Sequence, residues 1–336
     1  MNLKSILTSP DLYVQSFDRD EAICFEMDQS AYQRSIFLDR RIAAKNMAHE
    51  RVRRSDVLAA VKGAPAQGPI NYIFHIAHCG STLLARALDL PGQNLVLREP
   101  FTLRQLGVEA ANGAEDAASI EMMRVLLARR YNENGPVIVK ANVPVNFMIP
   151  ALMRPQADQP AIVLHYALED YLLAILRSEM HRGWVAHVSN ELKPGIEKLT
   201  GRCAADESVA VSAARLWLAQ LLQFDAALGA YPNTRSLSAE DLFEQPNAVL
   251  GAAFTLFGQP QNEAALDAIV SSELFTRYSK DPRHKFDNAQ RVVRRAKLKE
   301  DLADELEAGR AWALAHAGQL PKRLSKPLVG DGCDLL

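Results

Sequence analysis

The chain has 336 residues, 48% of them hydrophobic and 23% charged, and a formal net charge of −2. That length accommodates one large α/β domain or two small ones with an ample core, and the near-neutral charge excludes a general attraction to nucleic acid or anionic lipid, so any anion site is local. Four cysteines at 24, 79, 203 and 333 make no Cys-x-x-Cys pair, and no apolar run approaches the ~18 residues of a membrane span; we expect a reduced, cytoplasmic setting with neither signal peptide nor span.

Residues 1–63 form a small opening segment. Leu12–Phe17 and Ala22–Met27 read as two strands of a hairpin around Asp18-Arg-Asp-Glu21. Ser30 is a candidate cap for a short helix leading to Phe37–Arg41, and Ser55 or Asp56 for another through Val57, Leu58 and Val61. No chemistry is visible in this segment, which could serve as a lid, a dimer arm or added scaffold. Ala64-Pro-Ala-Gln-Gly-Pro69 is a linker of turn formers.

The stretch Asn71–Leu88 follows. Ile70, Tyr72, Ile73, Phe74 and Ile76 make an apolar, β-branched run that suits a buried strand. The pattern breaks at Ala77-His78-Cys79-Gly80 and resumes at helical spacing from Ser81 through Leu83, Leu84, Ala87 and Leu88. A strand, a glycine turn with hydroxyls and then a helix is the recipe for an anion cradle, because the N–H groups of the first helical turn point into the turn. The alternative is an ordinary αβ turn with a capped helix.

Asn94–Phe101 reads as a second strand ending in Arg98-Glu99-Pro100, where the proline stops the ladder. Ligands of an open parallel sheet sit beyond the carboxyl ends of its strands, which would place Glu99 in a crevice with Gly80. Residues 115–131 read as a helix with Ile120, Met123, Leu127 and Tyr131 on one face. Pro136–Lys140 and Ala161–Tyr166 are the third and fourth strands, and Leu168–His181 an apolar helix. Strands alternating with helices predict a parallel sheet covered on both faces.

The second half reads as mostly helical. Gly183–Ala205 is poorly patterned and could cover a site. Residues 206–230 form a long helix with Trp217, Leu221, Phe224 and Leu228 on one stripe, all core. Asn233–Ser238 is a short strand, and Pro246 opens a helix that ends at Phe257-Gly258. Ser279–Asp287 is a basic loop. The helix from about 289 to 317 is basic first, with Arg291, Arg294, Arg295, Lys297 and Lys299, and acidic after.

Taken in order, these features resemble the bacterial P-loop sulfotransferase family. That family's donor turn reads Lys/Arg-Ser-Gly-Thr/Ser-Thr, and here it reads His78-Cys79-Gly80-Ser81-Thr82. Its later segment has a tryptophan-bearing helix, a strand, a Glu-Asp-Leu step and a Pro-led helix; here these are Trp217, Ser236–Ser238, Glu240-Asp241-Leu242, and Pro246 to Leu256-Phe257-Gly258. The likeness spans roughly residues 70 to 290. It implies a P-loop, nucleotide-kinase-like parallel sheet flanked by helices with a helical C-terminal half, over residues 70–320, followed by a tail at 321–336. It also implies transfer of a sulfuryl group from 3′-phosphoadenosine 5′-phosphosulfate to a hydroxyl or amine of a small-molecule, peptide or glycan acceptor. No metal and no nucleic acid are implied, and a homodimer is possible.

Carried over by position, His78, Cys79, Gly80, Ser81 and Thr82 would hold the donor's 5′-phosphosulfate. Glu99 would accept the acceptor's proton, and Lys140 would be a second cation near the sulfuryl oxygens. The chain departs from the pattern at two places. His78 stands where the family has a lysine or arginine, and carries charge only below a pKa of about 6.5 unless a bound anion raises it. Where the family grips the 3′-phosphate with an arginine and a serine eight residues on, this chain has His165-Tyr166 and Ala174, with Arg177 and Ser178 one turn later. Lys280, Arg283, His284 and Lys285 match the family's basic C-terminal loop.

Plainer readings accompany each residue. Cys79 is a packing residue more readily than a nucleophile. His75 and His78 lack the carboxylate or thiolate partners of a metal site. Glu99 could pair with Arg98 or Arg104, and Lys140 could be a solvated strand end. Arg294 and Lys297 suit a solvated helix face better than Arg283 and Lys285 do. A nucleotide-dependent phosphoryl transferase is the second functional class, although the turn lacks both the first glycine and the lysine of Gly-x4-Gly-Lys-Ser/Thr. A non-catalytic binding or scaffold protein on the same fold is the third.

Overall fold

The computed structural model describes residues 5–64, 68–278, 283, 287–318 and 320–336. Two sheets organise it. A small antiparallel sheet, in the order β1-β2-β3, comes from β1 (Leu12–Asp18), β2 (Glu21–Glu26) and β3 (His49–Arg53). The hairpin is the expected one. The third strand, His-Glu-Arg-Val-Arg, was not foreseen, because it is solvent-facing except at the half-buried Val52 and so has no apolar alternation to read.

The large sheet comprises β4 (Ile70–His75), β5 (Leu95–Arg98), β6 (Val137–Lys140), β7 (Ala161–His165) and β8 (Thr234–Ser238). All pairs are parallel and the order is β5-β6-β4-β7-β8. β4 is central although it comes first in sequence. β4 through β7 are buried along their whole length, as strands covered on both faces must be. The expected α/β fold, a parallel sheet flanked by helices with a helical C-terminal half, is the fold observed. Residues 326–328 run beside Ser236 and pair with the outer edge of β8 at its middle residue.

The flanking helices that matter for the site are α1 (Ser81–Ala87), α2 (Phe101–Ala111), α3 (Leu168–Ile175), α4 (Glu179–Glu191), α5 (Val209–Ala230), α6 (Ala239–Glu244), α7 (Asn288–Asp301) and α8 (Ala303–His316). Two differences from the expected helices have consequences. Leu168–His181 is not one helix: Ser178 is extended, with φ −160° and ψ 160°, and restarts the chain as α4. Gly183–Ala205, which lacks a clear pattern, is helical over most of its length, as the rest of α4 and a helix Lys193–Thr200. The long basic-to-acidic helix is likewise two, broken at the buried Leu302.

One hydrophobic cluster runs through both sheets, joining Tyr13, Val14 and Met27 to Ile73, Leu97 and Val139. The stitching is specific. Arg98, 2% exposed, ends β5 by donating to the carbonyl oxygens of Tyr32, Gln33 and Ser35. The Leu38 N–H donates to the Arg98 carbonyl at 2.7 Å. A buried guanidinium that satisfies three carbonyls fixes chain position strongly, so residues 32–41 are held against the carboxyl end of β5.

Candidate functional site

The turn after β4 carries two residues in the left-handed region, His78 at φ 62° and Gly80 at φ 83°. Gly80 is needed on two counts, since a Cβ there would also lie 2.9 Å from the Phe243 ring. The Cys79 thiol is fully buried and donates to the Ile76 carbonyl at 2.9 Å, which makes it part of the turn's scaffold. Ser81 and Thr82 open α1 and are buried, and the Thr82 hydroxyl oxygen has no hydrogen-bond partner. Glu99, at the end of β5, also has a positive φ of 55°. Non-glycine residues are strained in that conformation, and here both strained positions follow carboxyl ends of strands that flank β6.

Two cavities meet over these strand ends. The first is lined by His78, Gly80, Ser81 and Thr82 from the turn and by arginines 177, 277, 291, 294 and 295. The second, about 720 Å³, is lined by His75, Glu99 and Asn142 at strand ends, by Phe37 and Arg41 from the opening segment, and by Met180, Trp184 and Val188 of α4. His78, Arg177, Tyr278 and Arg294 line both.

Arg177 is the hinge of this arrangement. Because the chain breaks after α3, Arg177 turns toward His78 and its terminal nitrogen lies 3.5 Å from His78 Nδ1. Its Nε and terminal nitrogen donate to His181 Nε2 at 3.1 and 2.7 Å. Since a guanidinium only donates, His181 Nε2 is the acceptor and its Nδ1–H donates to the Ser178 hydroxyl at 2.6 Å. The rings of His78 and His181 pack at 4.5 Å between centroids. Burial pulls the Arg177 pKa below the ordinary arginine value, with Arg294 acting in the same direction and Tyr278 against it. Arginine nonetheless keeps its proton, so a desolvated positive charge stands beside the turn.

Three other arginines of the first cavity, 277, 291 and 295, are paired with carboxylates. Arg291 makes a bidentate pair with Glu240 at 2.6 and 2.8 Å, and Arg295 bonds Glu240 and Asp170. Asp170 lines the same cavity as the turn, and burial raises its pKa despite Arg295. Arg277 pairs with Glu273.

Glu99 pairs with neither Arg98 nor Arg104. Arg98 binds Asp89 and Arg104 makes a bidentate pair with Glu191. Glu99 Oε1 instead accepts from the Lys140 ammonium, whose side chain is fully buried, and Oε2 faces Asn142 Nδ2 at 3.5 Å. Lys140, expected as a second cation near the sulfuryl oxygens, lines neither cavity and donates to Glu99. His75, far from a metal pair with His78, places its ring nitrogens 2.7 Å from the carbonyls of Ile76 and Ala141.

Of the expected donor contacts, the structure brings His78, Gly80, Ser81, Thr82 and Arg177 to one wall. Ser178 bonds His181 rather than lining either cavity. Arg283 is exposed and lines neither, and Lys280 and Lys285 lie outside the described residues. Sequence reasoning missed Phe37, Asn142 and Trp184; Arg294 is exposed on its helix, as expected, and also borders both cavities. Asn142 was findable, since it sits two residues beyond the end of β6, where parallel sheets place ligands.

Neither a protein-family model nor a curated protein matches the sequence. Among solved structures the chain is similar to a sulfotransferase from Mycobacterium tuberculosis, at 14% identity over 75% of this chain and 82% of that one, with a TM-score of 0.46. It is also similar to a sulfotransferase from Alicyclobacillus acidocaldarius, at 13% identity over 73% and 98% with a TM-score of 0.41. A third is a mouse sulfotransferase complexed with PAP, at 10% identity over 81% and 98% with a TM-score of 0.38. None of the three reaches a TM-score of 0.5.

Proposed function

We propose that this chain transfers a sulfuryl group from 3′-phosphoadenosine 5′-phosphosulfate to a hydroxyl or amine. The observation that carries this reading is the junction of the two cavities at His78 and Arg177. On one side lie a glycine–hydroxyl turn and a desolvated cation; on the other lies a carboxylate in a separate, larger space. A group passing between two molecules needs both halves. The donor end fits the residues present, because the Thr82 hydroxyl has no hydrogen-bond partner among the described residues and the Arg177 guanidinium faces the imidazoles of His78 and His181.

In this reading the backbone N–H groups of Cys79 to Thr82 and the two hydroxyls bind the 5′-phosphosulfate. Arg177 supplies the charge that a lysine or arginine would supply at position 78, and so offsets the negative charge that builds on the leaving nucleotide in a loose transition state. His78 orients the anion from the turn. Arg294, on the exposed side of the same cavity, faces the remaining phosphate. Glu99 takes the proton of the attacking group as the new bond to sulfur forms and the bond to the bridging oxygen breaks. Lys140 holds and aims Glu99 through its Oε1.

Titration with 3′,5′-bisphosphoadenosine and with ATP-Mg tests the proposal. Saturable binding of the bisphosphate without a requirement for magnesium supports it. Magnesium-dependent binding of ATP in its place indicates phosphoryl transfer, and binding of neither indicates a scaffold protein.

A further inference from the structure

Ser178 is the N-cap of α4, yet its side chain makes no capping hydrogen bond. A serine in that place ordinarily accepts from an N–H group of the first helical turn and so stabilises the helix. Here the hydroxyl oxygen instead accepts from Nδ1–H of His181, at 2.6 Å. The residue best placed to cap the helix holds an imidazole.

That imidazole in turn holds Arg177. Its Nε2 receives Nε and one terminal nitrogen of the guanidinium at 3.1 and 2.7 Å. Both arginine nitrogens can only donate, so Nε2 keeps its lone pair and the ring proton sits on Nδ1. The other tautomer would set N–H against N–H, and a doubly protonated ring would set cation against cation. The same terminal nitrogen lies 3.5 Å from His78 Nδ1, so two imidazoles flank the guanidinium where the cavities meet. Arginines 277, 291 and 295 are held by carboxylates, which cancel their charge. A neutral imidazole fixes the plane of a guanidinium and leaves its charge for an anion.

Resting on the sulfuryl-transfer reading above, we propose that His181 and Ser178 are positioning residues for Arg177. His181 grips the guanidinium through Nε2 without neutralising it, and Ser178 anchors the ring through Nδ1. Together they aim a full positive charge at the anion bound in the turn.

Binding of 3′,5′-bisphosphoadenosine, and of pyrophosphate as a second anion, is measured calorimetrically on the full chain. His181→Leu should weaken both about tenfold, as loss of one charge-assisted hydrogen bond does. His181→Gln keeps an oxygen that accepts from Arg177 and should stay within about threefold of the wild type, which also controls for folding. Ser178→Ala should weaken binding about threefold by loosening the ring. In an Arg177→Met background His181→Leu should cost nothing further, because His181 acts only through Arg177. The nitrogen-15 spectrum of the wild type should show the His181 ring, assigned by its loss in His181→Gln, as the Nδ1–H tautomer. Unchanged binding in His181→Leu or Ser178→Ala, a glutamine no better than leucine, additive losses in the double variant, or an Nε2–H or doubly protonated ring overturns the proposal. Binding of neither anion overturns it together with the donor reading. Pyrophosphate binding with the same ranking of variants, without bisphosphate binding, overturns the donor reading alone and supports the positioning of Arg177.

Discussion

Glu99 and Lys140 are unequal partners, and the inequality predicts how each substitution behaves. The lysine side chain is fully buried, whereas the glutamate is 18% exposed at a cavity wall. Removing the glutamate strands an ammonium in the core, so Glu99→Ala should cost about 3–5 kcal/mol in a denaturant titration. Glu99→Gln keeps an oxygen for Lys140 and should fold. Its turnover should fall by roughly 10²–10⁴-fold with bisphosphoadenosine affinity unchanged, and normal turnover would remove Glu99 from the role. Across the junction, Arg177→Met should weaken bisphosphoadenosine binding about 10–100-fold, as loss of a charge-assisted contact does. His78→Ala should change it less than about fivefold. If the two losses were equal, the turn histidine would be carrying the charge assigned to Arg177.

At the scale of elements, the strands of the large sheet and their turns were legible, and the exposed β3 and the helix breaks were not. β4 through β7 announce themselves as short apolar runs, and Gly80 and Pro100 mark where two of them stop. Leu168–His181, in contrast, keeps an apolar helical pattern across Arg177-Ser178, so nothing local shows that the chain restarts at Ser178. The break brings Arg177 to His78, and the likeness of the sequence to a family with a differently placed arginine concealed it. Phe37 beside Glu99 was equally hidden, because the contact depends on Arg98 capturing carbonyls more than sixty residues away. The same reasoning applies to α7, whose Arg291, Arg295 and Lys299 face Glu240, Asp170 and Glu169 at one-turn spacing. Glu240 holds two of these arginines, so Glu240→Gln should loosen the whole helix. Hydrogen exchange in residues 288–301 should rise in that variant while α5 stays protected; unchanged exchange would mean apolar packing alone holds α7. The exposed pair Lys299–Glu169 should contribute little.

At the scale of the whole molecule, the clearest pH dependence of stability comes from a histidine outside the chemistry. His165 ends β7, 2% exposed, with the Cys333 sulfur of the C-terminal tail 3.6 Å from its Nε2 and no partner for Nδ1. Burial pulls its pKa from 6.5 down to about 4, against backbone hydrogen bonds that raise it. The folded chain therefore refuses a proton that the unfolded chain accepts. The stability present above pH 6.5 falls as the pH drops through the range down to about 4, and the loss levels off below that. A shift of this size corresponds to about 3 kcal/mol. Carboxylates also titrate at the acid end of the range, so the informative quantity is a difference between two proteins. His165→Leu removes the titration but keeps an apolar group in the sheet. The stability of the wild type minus that of this variant, from urea titrations, should fall by about 3 kcal/mol between pH 7 and pH 4. A difference that stays constant with pH would mean that His165 takes up its proton in the folded state, with the tail opening at Cys333 to admit water.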